Sequence, residues 1–177
     1  MGQRLINKKE EERKLSRNLS LNVKEYSARI LGICSWLQNE CKEVLSSAGR
    51  LVAASEFNAV KAANLEEALT RIDAAYEHSG LGRLKIDGAS KNKLIIRLYD
   101  CATCNTAKND GHTYCWIDAG FIAGGLETML HKGYDAIETK CRGTGYTYCE
   151  FIIVPSTSKP RRLRIVSNLE PRGMMPV

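Results

Sequence analysis

Before Gly80 the apolar residues of this chain recur every three or four positions; directly after it, in "RLKID" and "KLIIRLYD", they recur every second one. That change of period limits the folds open to it more than any other feature. From Val23 the positions Tyr26, Ile30, Cys34, Leu37, Cys41, Leu45, Ala48 and Val52 trace one face of a long helix. A second helix opens at Asn64, with Glu67 three residues on as a variant capping box and Gly80 as its stop. Leu65, Ala68, Leu69, Ile72, Ala75 and Tyr76 form its apolar face. "RLKID" and "KLIIRLYD" then read as strands joined by the turn "GASKN", with Leu94, Ile96 and Leu98 on one face. "YCWIDAGFIAGGLETMLHKG" is helical in pattern, with Gly133 as the expected stop. Its Gly120 and Gly124 share a face and cost about 1 kcal/mol each in helix propensity, which the close approach of another backbone would offset. Strands over Tyr134–Thr139 and Tyr146–Val154 follow, and "RLRIVSNL" is a candidate edge strand. The order predicts an α+β fold, with an antiparallel ββαββ sheet and N-terminal helices packed on it.

The 177 residues suit one domain over 21–166: a helical segment to residue 80, then the α+β core from 81. Residues 1–20 read as a charged extension and 167–177 as a tail. The N-terminus carries charge but no apolar signal region, and the longest apolar run, Ala119 to Leu126, is far short of the ~20 residues of a membrane span. A cytoplasmic location is expected. There, seven cysteines argue for metal ligation, packing or redox chemistry rather than a disulfide framework. Net charge is +6, densest at "KPRRLR", but no nucleic-acid-binding motif accompanies the patch, so it reads as a solvated surface.

The chemistry gathers in "ETKCRGTGYTYCEF", residues 138 to 151. A hairpin centred on Gly145 sets Cys141 and Cys149 opposite each other. Glu138, three residues before Cys141, joins them only if a bulge or kink intervenes, because residues three apart on a regular strand face opposite ways. Cys115, near a helix start where the dipole favours a thiolate, supplies a fourth ligand. Three sulfurs and one carboxylate in a tetrahedral site suit zinc. A competing set takes Cys101 and Cys104 of "CATC" with Cys141 and Cys149, and His112 as a possible substitute. Cys34 and Cys41 lie on the helical stripe and read as packed thiols.

Residues 80 to 155 resemble the V4R (4-vinyl reductase) domain family and are similar to the sensory domains of aromatic-responsive bacterial regulators. "CWIDAGFIAGGLE" matches the family's glycine-containing helix, and "ETKCRGTGYTYCEFII" matches its ending. Zinc-containing members space their ligands Cys-x22-Glu-x2-Cys-x7-Cys, which Cys115, Glu138, Cys141 and Cys149 reproduce. The resemblance therefore favours this set and leaves "CATC" mainly structural, with a redox or second-metal role as the alternative. It implies a fold similar to a vesicle-tethering subunit, often dimeric, with a small hydrophobic ligand enclosed near a structural zinc. The implied pocket lining is Leu94, Ile96, Leu98, Trp116, Ala119, Tyr134 and Ala136, residues equally suited to a plain core.

The sequence departs from the phenol-sensing pattern, since neither a Trp nor a His stands in "KLIIRLYD". It also lacks the ATPase and DNA-binding domains of those regulators, so a signal would pass to a separate protein partner. The expected function is a zinc-stabilised, small-molecule-binding sensory domain, homodimeric by resemblance. The alternatives are an enzyme of the 4-vinyl reductase type acting on a tetrapyrrole-like substrate, or an assembly subunit with a vestigial pocket. No dinucleotide fingerprint supports a reductase.

Overall fold

The computed structural model describes residues 39–90 and 92–156. Its elements are α1 (Asn39–Glu56), α2 (Leu65–Ser79), β1 (Arg83–Ser90), β2 (Lys93–Tyr99), α3 (Trp116–Leu130), β3 (Tyr134–Lys140) and β4 (Tyr148–Pro155). The charged extension, Cys34 with the start of the first apolar stripe, the candidate edge strand and the tail lie outside the described residues.

The sheet order is β1-β2-β4-β3, and every neighbouring pair is antiparallel. This is the α+β, ββαββ arrangement expected from the change of period. Alternation carries the core. Leu94 stands opposite Ile153, Ile96 opposite Phe151 and Leu98 opposite Cys149, and all six are buried. Cys149 is thus the last member of the apolar face shared by the two central strands. Side chains of the other face, such as Arg97 and Glu150, pair across the same ladder, with Arg97 Nε 3.3 Å from Glu150 Oε2.

α2 starts and stops where its capping residues dictate. Asn64 Oδ1 accepts the Glu67 N–H at 2.9 Å, while Glu67 Oε2 accepts the Ala63 N–H at 2.9 Å, one residue beyond the reciprocal box. Gly80 adopts φ 67°, a left-handed conformation that glycine reaches without strain, and the Leu81 N–H closes the end on Tyr76 O. α3 ends earlier than expected. Its left-handed cap is His131 at φ 57°, not Gly133. β1 runs on to Ser90, past the expected start of the turn, and β4 begins at Tyr148 rather than Tyr146.

α1 and α3 pack with their backbones in near contact. A Cβ on Gly120 would lie 2.0 Å from Ser46 O, and one on Gly124 2.7 Å from Arg50 Cα. From the other helix, a Cβ on Gly49 would lie 2.1 Å from Ile117 O. The close approach expected of Gly120 and Gly124 is therefore present, and Gly49 answers them. It also moves the buried face of α1. Cys41, Gly49, Ala53 and the following Phe57 are buried, whereas Val52 is 54% exposed. Small residues, which the apolar stripe of the sequence passed over, define this contact. Cys41 is buried and takes part in a disulfide, rather than packing as a free thiol. No helix among the described residues is long and apolar enough to cross a membrane.

Candidate metal centre

The hairpin between β3 and β4 meets the condition that the sequence set. The pairing runs Glu138 to Phe151 and then Lys140 to Glu150, so the register shifts between Glu138 and Lys140. This bulge lets Glu138 and Cys141 turn to the same side of the sheet. A single 3-10 turn, Arg142–Thr144, closes the hairpin and ends on Gly145 at φ 88°. Thr144 Oγ1 accepts the Cys141 N–H at 2.9 Å, and Cys141 O accepts the Tyr146 N–H at 3.0 Å, which fixes the backbone that carries the thiol.

The segment from Cys101 to Tyr114 folds onto this turn. Gly143 O accepts the N–H groups of Asp110 and Gly111 at 2.9 and 2.8 Å. A Cβ on Gly143 would lie 2.2 Å from His112 O, so only glycine admits the approach. At its start, the Ala102 N–H donates to Leu81 O at 3.1 Å. Asp110 braces the far end, accepting from the Tyr114 hydroxyl and from the His112 N–H. The loop thereby delivers Cys101 and Cys104 to the same interior point as Cys115, the N-cap of α3.

Five free thiols and one carboxylate meet there. The sulfur of Cys115 lies 3.5 Å from Cys101, 3.4 Å from Cys149 and 3.9 Å from Cys141. Cys104 lies 3.3 Å from Cys149. Tetrahedral coordination with Zn–S bonds of about 2.3 Å separates sulfurs by about 3.8 Å, close to this spread. Glu138 completes the group. Its Oε2 accepts the Cys115 N–H at 2.8 Å, while Oε1 is buried with no hydrogen-bond partner among the described residues. Leaving a carboxylate oxygen unsatisfied in the interior is costly, and a cation among the thiols would satisfy it.

The donor atoms form two mutually close sets, Cys115 with Glu138, Cys141 and Cys149, and Cys101 with Cys104, Cys115 and Cys149. The first is the set expected for zinc. The second corrects the competing expectation: "CATC" converges on Cys115 and Cys149, with Cys115 taking the place given to Cys141. That substitution follows from the loop, which Leu81 and Gly143 tie across the start of α3. His112 joins neither set; it is exposed and pairs with Asp110 at 3.4 Å.

Electrostatics at the site are set by burial. Burial, reinforced by the neighbouring Cys141 charge, holds the Glu138 carboxyl well above its ordinary range. Burial likewise pushes the Cys115 thiol up, so desolvation outweighs the helix-start effect expected to lower it. Asp118, in the first turn of α3, is held at about 6, mainly by burial, although it accepts the Tyr76 hydroxyl at 2.9 Å. Sequence reasoning missed this Asp118–Tyr76 pair, because nothing in either helix pattern links residues 42 positions apart.

Of the expected pocket lining, Leu94, Ile96, Leu98, Trp116 and Ala119 are buried members of the core, and Tyr134 and Ala136 pack against it half-buried. Among the described residues, surface depressions touch this set. One of about 330 Å³ takes in Tyr134 beside Ser46, Arg50, Glu127 and Asp135. The other, about 350 Å³, takes in Ile96 beside Glu66, Asp73 and Leu84.

The resemblance rested on the glycine-bearing helix, the hairpin and the spacing of Cys115, Glu138, Cys141 and Cys149, whose side chains lie together here. Residues 94–155 match the V4R domain. An uncharacterized protein of Methanocaldococcus jannaschii is 42% identical over 73 residues, which are 41% of this chain and 42% of that protein. The chain spans less than half the length of the curated relatives it matches. Among solved structures, the phenol-responsive sensory domain of the transcription activator PoxR, with phenol, is similar at a TM-score of 0.57 and 14% identity. The match covers 75% of this chain and 74% of that one. A trafficking protein particle complex subunit 3 from Naegleria fowleri, covalently bound to palmitic acid, is similar at a TM-score of 0.60 and 14% identity. That match covers 77% of this chain and 96% of the other. At such identities the likeness concerns the fold, which the V4R segment shares with both.

Proposed function

We propose that this chain is a zinc-stabilised, small-molecule-binding sensory domain of the V4R type. The observation that carries the reading is the buried, unsatisfied Oε1 of Glu138 among the thiols of Cys115, Cys141 and Cys149. These four residues would hold the ion. Four protein ligands leave no open position for water, so zinc there is structural and pins the start of α3 to the β3–β4 hairpin. It thereby steadies one wall of the apolar interior, where Leu94, Ile96, Leu98, Trp116, Ala119, Tyr134 and Ala136 would contact a small hydrophobic ligand. Structures of this fold that hold phenol or palmitic acid support an apolar guest. The reading extends to one cytoplasmic domain over 21–166, acting as a homodimer and signalling through a separate protein partner.

Metal analysis and native mass spectrometry of the full chain, purified without added metal or chelator, test this. At least one zinc per chain together with a retained hydrophobic small molecule is the expected result. A metal-free chain would refute the site. A zinc-loaded chain that retains no adduct and takes up none from a set of phenols and fatty acids would refute ligand binding.

A further inference from the structure

The mononuclear reading uses four of six donors. It leaves the thiols of Cys101 and Cys104 buried, 3.5 and 3.3 Å from sulfurs that it assigns to a metal. We propose that the cluster is a binuclear centre, in which Cys115 and Cys149 bridge two zinc ions. Cys141 and Glu138 complete one tetrahedron, and Cys101 and Cys104 complete the other. This inference rests on the metal site proposed above and extends it.

Three features point to it. First, the donors have the composition that edge-sharing requires. Two tetrahedra that share two ligands need six donors, and the two sets contain six, with Cys115 and Cys149 the common pair. Those two thiols are fully buried at 0% exposure, as is Cys141, and so can face ions on both sides. Second, their separation suits the role. Zn–S bonds of about 2.3 Å across the 3.4 Å between Cys115 and Cys149 place the ions about 3 Å apart. Third, the charge balances. Three thiolates and a carboxylate around one divalent ion leave −2; five thiolates and a carboxylate around two leave the same −2. The second ion arrives with two thiolates of its own, whose protons pass to solvent, and adds no net charge to the interior.

The two ends differ in how they are held. Glu138 and Cys141 belong to a hydrogen-bonded hairpin. Cys101 and Cys104 belong to a loop outside helix and strand. The ion at the loop end is therefore expected to leave first, and chelator release should be biphasic with two equal amplitudes.

Zinc stoichiometry and the zinc K-edge absorption spectrum of the full chain decide the matter. Two zinc ions per chain, with a metal–metal scattering path near 3 Å, are expected for the wild type. Cys101→Ser and Cys104→Ser should each halve the zinc content and abolish that path while leaving the far-UV circular dichroism unchanged. Glu138→Gln should also retain one ion, held by the four thiols of the other set. One zinc per chain, unaffected by Cys104→Ser, would overturn the binuclear centre and leave the mononuclear site standing. One zinc lost in Cys104→Ser but kept in Glu138→Gln would overturn both, by placing a single ion on the loop set. The wild-type stoichiometry and spectrum are decisive even if a variant fails to fold.

Discussion

Replacing Gly120 by alanine probes how α3, and with it Cys115, is placed. In an exposed helix this change gains about 1 kcal/mol, because glycine is the poorer helix former. Here the new Cβ would stand 2.0 Å from Ser46 O and 2.7 Å from Ser46 C, against the 3.4 Å or more of an ordinary contact. Both obstacles are backbone, so no side-chain rotation relieves them, and the helices must part by about 1.4 Å. A gap of that size forfeits much of the dispersion attraction along the interface. Overpacking a core costs about 1–3 kcal/mol, and the upper end applies where backbone is what must move. Set against the propensity gain, the expected net loss is about 2 kcal/mol. Gly49→Ala, whose Cβ would lie 2.1 Å from Ile117 O, meets the same interface from the other side. Once the helices have parted for one methyl the second costs less, so the double variant should lose less than the sum. Gly88→Ala serves as the control, since its nearest neighbour would be Ile95 Cδ1 at 3.8 Å. Urea unfolding at fixed zinc concentration measures the four variants against wild type, read as midpoint shifts at unchanged slope. A Gly120→Ala chain as stable as wild type, or a strictly additive double variant, would refute the close-contact reasoning.

Three further outcomes are expected. Cys149→Ser should release the metal and cost several kcal/mol, because structural zinc binding is coupled to folding; unchanged zinc by elemental analysis would remove Cys149 from the site. Asp118 is held at about 6 in the folded chain against an ordinary 3.8, so the folded state binds its proton more tightly than the unfolded one. Its contribution is full below pH 4 and is lost as the pH rises through 6. Asp118→Asn, which keeps an acceptor for Tyr76, should flatten stability over that window and gain on the order of 3 kcal/mol at pH 7. Denaturant titrations from pH 4 to 7 check this, and an unchanged slope counts against it. Asn64→Ala removes the cap on the Glu67 N–H and should cost about 1 kcal/mol, read from the urea midpoint.

Most of the fold was legible because it depends on local signals. Asn64, Glu67 and Gly80 bound α2 by chemistry confined to each end. The alternation of Leu94, Ile96 and Leu98 specified a buried strand face before any partner was known. The candidate ligand set was legible as a spacing, and the register shift that brings its members together lies where the spacing demanded. What escaped depends on contacts between distant segments. Val52 continues an apolar stripe but faces outward, because Gly49 and Ala53 make the nearer approach to α3. The destination of Cys101 and Cys104 was hidden for the same reason. Gly143 O gathers the far end of their loop onto the hairpin turn, and no residue within "CATC" encodes that. His131 as the left-handed cap was masked by Gly133, a residue better suited to the part.

The bulge between Glu138 and Lys140 has a consequence for heredity as well as for geometry. Along a strand the parity of the residue count decides which way a side chain looks. The single unpaired position, Thr139, is therefore what turns the carboxylate toward the thiols. Were Thr139 drawn into a regular ladder instead, every cysteine would stay in the chain, yet Glu138 would be sent outward. The site is thus written as an interval as much as a set of letters. Descendants that conserve all the letters but flatten the bulge would inherit the hairpin with its carboxylate turned away from the thiols.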